Sequence, residues 1–154
     1  MRAALEKPVL AWSVDRMTAG DAAEVATFFE RFPEVAFCDW EDEGLLAKVL
    51  SREGDASYLA RRQDGSRRGE VVGAVLAGSI GVRGSVNHIA VDPEFRFEGV
   101  GRVLVERALA SLRADGIRRV FLFVAETSVA AGPFWNSMGF SPVPGEIALE
   151  RDLD

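Results

Sequence analysis

The run Val91-Asp92-Pro93-Glu94-Phe95-Arg96-Phe97-Glu98-Gly99-Val100-Gly101-Arg102 is the most informative stretch of the chain. An apolar strand ends at Val91, Pro93 interrupts it, and two glycines flank one apolar residue where a helix begins. From Gly99 to Asp115, Val100, Val103, Leu104, Ala108 and Leu112 recur at helical spacing, Arg102, Glu106 and Arg113 take the wet side, and Gly116 supplies a stop. The first turn of a helix has N–H groups without intrahelical acceptors, at the positive end of the helix dipole. Glycine removes the Cβ that would hold an anion away from those donors. Arg96 and Arg102 would add charge-assisted contacts, so the stretch reads as an anion cradle, with a purely structural tight turn as the alternative. A P-loop requires Gly-Lys-Ser/Thr where this chain has Gly101-Arg102-Val103, and a dinucleotide fingerprint requires a small residue where Leu104 stands.

Upstream of the cradle, strand signals dominate. Glu70 to Leu76 and Ser85 to Val91 are apolar runs separated by a turn at Gly81-Val82-Arg83-Gly84, and Ser57 to Arg61 precedes the polar turn from Gln63 to Gly69. Short polar links favour antiparallel neighbours over crossovers. Pro8 to Asp15 adds a first strand. Thr18 and Asp21 then form an N-terminal capping pair, and Val25, Phe28, Phe29 and Phe32 follow at helical spacing up to Pro33. A second short helix carries Leu45, Leu46, Val49 and Leu50 behind the acidic run Glu41-Asp42-Glu43. Downstream, the unbroken run Val120 to Val124 within Arg119 to Ala125 predicts a strand covered on both faces. A short helix over Ala130 to Ser137 and a last strand over Ile147 to Leu149 complete a single α+β domain, 1–154, with no linker or repeat.

Composition narrows the functional class. The chain has 154 residues, 48% of them hydrophobic and 27% charged, which is ordinary globular composition. A formal net charge of −6 opposes a general nucleic-acid binder. One histidine, His88, and one cysteine, Cys38, cannot build a zinc cage without several carboxylates, so no metal is expected. Cys38 has no partner for an internal disulfide, which suits the cytoplasm. The first twelve residues do not read as a signal peptide, and no apolar run is long enough for a membrane span.

Val91-x-Pro93-x-x-Arg96-x-x-Gly99-x-Gly101 resembles motif A of the GNAT superfamily of acyl-CoA-dependent N-acetyltransferases. Phe134-Trp135-Asn136-Ser137-Met138-Gly139-Phe140 is similar to the family's aromatic-x-x-x-Gly-Phe element, and the combined match runs from about Glu70 to Phe140. The resemblance implies a mixed, mostly antiparallel sheet, splayed near its middle and flanked by helices. It also implies acetyl-CoA as cosubstrate, without a metal. Its pyrophosphate would sit on the turn made by Arg96, Phe97, Glu98, Gly99, Val100, Gly101 and Arg102, and its pantetheine arm would pair with backbone at Ile89, Ala90 and Val91. A primary amine would attack the thioester directly. A lysine-like amine has an ordinary pKa of about 10.4, so a route for proton loss is required. A homodimer would also fit the resemblance.

Two departures stand out. Phe97-Glu98 replaces residues that are usually glycine or basic, and Trp135 stands where the family commonly places a tyrosine that can protonate the thiolate. An indole N–H donates a hydrogen bond but is not a practical acid, so that role does not transfer, and the resemblance leaves Trp135 as a cofactor contact only. The only tyrosine, Tyr58, lies on another predicted element. His88 is the natural general-base candidate, since neutral imidazole accepts a proton near neutrality, with a half-buried strand histidine as the ordinary reading. Strand alternation groups His88 with Val86 and Ala90 on one face. Glu126 is a second base candidate, or simply a loop carboxylate. Asp39, Glu41, Asp42 and Glu43, with Trp40 as an aromatic wall, would attract a cationic acceptor amine or would serve only to cap a helix. The competing functions are a CoA-binding or regulatory domain without turnover, favoured by Trp135 and Glu98, and an interaction module whose glycine turn is structural.

Overall fold

A computed structural model describes residues 10–35 and 42–153, so Cys38, Asp39, Trp40 and Glu41 lie outside the described residues. The chain divides into two units, 1–123 and 124–154.

The first unit holds β1 (Trp12–Arg16), α1 (Ala22–Glu30), α2 (Glu43–Leu50), β2 (Tyr58–Arg62), β3 (Val71–Ile80), β4 (Arg83–Val91), α3 (Val100–Ala114) and β5 (Val120–Phe121). The five strands lie in sequence order; the first three pairings are antiparallel and β4 pairs with β5 in parallel. This is the expected mixed, mostly antiparallel sheet. The links around Gly65 and Gly81 are too short for anything but antiparallel neighbours, whereas the link from β4 to β5 contains α3 and permits a parallel return.

Both faces of the sheet are covered. On one face, Phe28, Phe29 and Val25 of α1 pack with Leu46 and Leu50 of α2 against Ala74, Leu76 and Ala90. Burying each large side chain contributes about 1.5–3 kcal/mol, so this aromatic patch is the main anchor of α1. The capping signals at the helix starts are realised. Thr18 N–H donates to Asp21 Oδ2 at 2.8 Å, and Leu45 N–H donates to Asp42 Oδ1 at 2.9 Å. On the other face α3 lies so close to β3 that a Cβ at Gly73 would meet Val100 Cγ1 at 2.8 Å and Leu104 Cδ1 at 3.1 Å.

Strand β4 departs from simple alternation. Leu76 pairs with His88 but Ala77 pairs with Val86, so Asn87 has no opposite residue in β3. That bulge puts Val86 and His88 on opposite faces, which overturns the grouping expected from a regular strand. Only His88 and Ala90 face α1, and the His88 ring centroid is 5.7 Å from that of Phe29.

The predicted strand from Arg119 to Ala125 is likewise corrected. Only Val120 and Phe121 pair, opposite Gly84 and Ser85, and Phe123 is 77% exposed rather than covered on both faces. The bulge at Asn87 follows immediately in β4, and a bulged strand bends, which ends the pairing there.

In the second unit, α4 (Ala131–Ser137) is the one regular element among the described residues. Trp135 is buried, edge-on to Phe134 at 5.0 Å and to Phe140 at 5.2 Å. The strand predicted over Ile147 to Leu149 does not form. Ile147 and Leu149 are exposed, and three apolar residues without a paired neighbour have no stability as a strand.

Candidate active site

The turn between β4 and α3 is tied down from several sides. Asp92 is buried and accepts from Glu94 N–H at 2.9 Å and from the Arg31 guanidinium at 3.0 Å. Burial pushes its carboxyl up, but the Glu94 N–H and the Arg31 charge outweigh burial and hold it below the ordinary value. Pro93–Phe95 forms a single 3₁₀ turn with Phe95 buried beneath the Arg62 guanidinium, 5.0 Å from the ring centroid. Glu94 in turn pairs with Arg62 at 3.0 Å and with Arg67 at 3.2 Å.

Beyond this anchor the backbone turns through the left-handed region twice, at Phe97 (φ 64°) and Gly99 (φ 86°). Phe97 and Glu98 are exposed. The ladder of α3 begins with Val103 N–H on the Gly99 carbonyl at 3.0 Å, so the N–H groups of Val100 and Gly101 precede it and have no intrahelical acceptor. A Cβ at Gly99 would meet nothing within 4 Å, which describes an open cradle. Arg102 forms an ion pair with Glu106 at 3.7 Å, and Arg96 with Glu34 at 3.6 Å.

The strand leading into the cradle has one open edge. Asp92 N–H donates to the Val72 carbonyl at 2.8 Å, which sets the antiparallel alternation. Ala90 and His88 therefore direct their backbone groups toward β3, while Ile89 and Val91 direct theirs to the side where β5 has already stopped at Phe121. Arg96 Nε donates to the Val91 carbonyl at 3.2 Å.

His88 is half-buried and borders a cleft of about 230 Å³ between α2 and the adjoining ends of β3 and β4. The structure thus brings Ile89, Ala90, Val91 and the residues from Arg96 to Arg102 together along one strand and its following turn. Glu126 and Trp135 belong to the second unit, where Glu126 is an exposed turn residue. Tyr58 Oη lies 2.6 Å from Ser111 Oγ, away from the β4 edge. Sequence reasoning missed Asp92, although an aspartate directly before a proline is a turn signal, and it missed Asp55 and Ser57, which no local pattern marks. Among the described residues no group of three or more His, Cys, Asp or Glu is placed to hold a metal. No described helix is long and apolar enough to cross a membrane.

Comparison with known proteins bears on the family and the fold. A sequence model of the acetyltransferase (GNAT) family matches residues 17–140. An acetyltransferase of Photorhabdus laumondii is 32% identical over 115 residues, covering 71% of this chain and 73% of that protein. Mycothiol acetyltransferase of Thermobispora bispora is 39% identical over 80 residues, covering 52% of this chain; the match spans only 27% of that longer protein. Among solved structures, an aminoglycoside acetyltransferase from an uncultured soil metagenomic sample superposes with a TM-score of 0.75 at 16% identity, covering 94% of this chain and 97% of that one. A ribosomal-protein-alanine N-acetyltransferase from Brucella melitensis biovar Abortus superposes with a TM-score of 0.70 at 16% identity, covering 93% and 100%. At that identity the two structures speak for the fold.

Proposed function

Because this chain belongs to the acetyltransferase (GNAT) family, we propose that it moves an acetyl group from acetyl-CoA to a primary amine by direct attack, with both substrates bound together. Bound acetyl-CoA supplies an acyl group activated as a thioester. The observation that carries the reading is the parting of β4 from β5 after Ser85, on the strand that leads into the open Gly99 turn. The outward backbone groups of Ile89 and the Val91 N–H, next to a Val91 carbonyl held by Arg96 Nε, suit the amides of a pantetheine arm. The leading N–H groups of α3, with Arg96 and Arg102 nearby, suit a pyrophosphate. Exposed Phe97 and Glu98 leave that seat uncovered.

His88 takes the amine proton in this reading. The amine nitrogen attacks the carbonyl carbon, the new C–N bond forms as the C–S bond breaks, and the bonding pair leaves with sulfur, which is reprotonated from the site or from water. Glu126 is the second candidate base. A cytoplasmic location and a homodimer fit this assignment.

Titration calorimetry with acetyl-CoA and thiol release with a panel of amines test it together. We expect heat with acetyl-CoA, turnover with at least one amine, and a fall in kcat of about 100-fold or more for His88→Gln. Binding without turnover across a broad panel favours the regulatory alternative. No heat at millimolar acetyl-CoA overturns the cradle.

A further inference from the structure

The residues lining the cleft beside His88 include the buried aspartate Asp55. Asp55 is only 6% exposed, lies opposite Gly78 on the edge of β3, and accepts from Ser57 Oγ at 2.7 Å. It is the one buried charged side chain among the described residues lining the cleft. Leu45, Leu46 and Val49 of α2 form an apolar wall, and Arg52 and Glu53 stand together, exposed, at the mouth, where their charges offset each other. On the far side of Asp55, the Arg16 guanidinium donates to its backbone carbonyl without lining the cleft.

We propose that this cleft is the acceptor subsite and selects an amine that carries a second ammonium group, with Asp55 receiving that second cation. The inference rests on the acetyl-transfer reading, in which His88, next to the β4 bulge, takes the proton of the reacting amine. Register gives the spacing. Asp55 is opposite Gly78 and His88 is opposite Leu76, two residues along β3 and two strands apart. That corresponds to roughly 6–7 Å along the strand and about 9–10 Å across it, or about 12 Å between backbones. Side chains of ordinary length at both ends leave room for a diamine of several methylenes, whose apolar stem would lie along the α2 wall. Burial pushes the Asp55 carboxyl up even though Ser57 Oγ, the backbone N–H groups of Ser57 and Ala56, and the Arg16 charge oppose it, and a cation bound beside it would offset more of that burial cost.

The test compares α,ω-diamines of three to eight carbons with monoamines of the same length, by thiol release from acetyl-CoA. For the wild-type protein the best diamine should exceed its monoamine at least 10-fold in kcat/KM, the scale of one charge-assisted hydrogen bond. In Asp55→Asn, which keeps an oxygen for Ser57, that ratio should collapse toward one, with near-ultraviolet circular dichroism checking the fold. Glu53→Lys alters only an exposed side chain, adds a cation at the mouth, and should lower the ratio several-fold. Equal wild-type activity with diamines and monoamines, or a ratio that survives Asp55→Asn, overturns the proposal. If no amine releases thiol, the transfer reading fails separately, and calorimetric titration of the diamines themselves decides the cleft. Diamine heat abolished by Asp55→Asn keeps the site, and absence of diamine heat removes it.

Discussion

Arg31, the residue that closes α1, holds the Asp92 carboxylate at the end of β4 at 3.0 Å, while the same carboxylate caps Glu94 N–H in the turn leading to α3. One buried side chain thus couples the aromatic helix on one face of the sheet to the start of the helix on the other. The cradle at Gly99 is positioned from a distance, through Asp92, Pro93 and Phe95.

Replacing Asp92 by Asn should therefore loosen the turn. We expect a loss of about 1–2 kcal/mol at neutral pH, because Arg31 is half exposed and its pairing partly screened. The Michaelis constant for acetyl-CoA should rise more than that for the acceptor, a split that a general loss of stability would not produce. The pH dependence has a definite sign. The carboxyl is held below its ordinary value, so its contribution is present above the unfolded value near pH 4 and disappears as pH falls through the folded one. Melting curves of wild type and Asp92→Asn should converge below about pH 4.

Asp55 carries the opposite sign. Its folded-state carboxyl is raised, so it favours the fold only below the unfolded value and that advantage is lost as pH rises through the folded value. Asp55→Asn should raise the melting temperature of the ligand-free protein at pH 7, and the gain should shrink toward pH 4. A lower melting temperature at pH 7 would mean that the Ser57 and Arg16 contacts outweigh the burial of charge.

Gly73 is a packing requirement. A methyl group there would meet Val100 Cγ1 at 2.8 Å, a branched side chain held at the start of α3. Gly73→Ala should cost about 1–3 kcal/mol in denaturant unfolding. It should also weaken acetyl-CoA binding, since the displaced residue is the first of the helix that forms the cradle. Unchanged stability would show that Val100 yields without strain.

Phe97 is the converse case. It holds φ at 64° and its side chain is fully exposed, so Phe97→Gly relieves a left-handed conformation that costs about 1–2 kcal/mol and gives up no packing. Glycine's extra freedom in the unfolded chain offsets part of this, leaving a net gain of about 1 kcal/mol or less. Calorimetry should find acetyl-CoA affinity undiminished; a substantial loss would mean that the ring covers the bound cosubstrate.

Much of this was legible from local pattern. The glycines at 99 and 101, the proline at 93 and the apolar stripe from Val100 to Leu112 specify a strand, a turn and a helix through nearest-neighbour sterics and period alone. Thr18 with Asp21, and Asp42 ahead of Leu45, show capping written in the same way. The unbroken apolar run Val120 to Val124 misled because an apolar pattern records the tendency to be buried, not the presence of a partner strand. β4 bends at Asn87 and ends the pairing, and no residue between 119 and 125 carries that information.

The helices, the glycine turn ahead of α3 and the caps were thus determined by the sequence itself, because each depends on residues within a few positions of one another. The family was legible as well, through several such local motifs spread along the chain. Tertiary structure alone decided which way His88 faces, how far β5 follows β4, and that Asp55 and Asp92 are buried beside Ser57 and Arg31. Those outcomes depend on register between strands and on contacts made across 61 residues for Arg31 and Asp92. A one-residue shift in pairing reverses a side chain's face, and that shift is set by how the packed sheet closes rather than by the local chain.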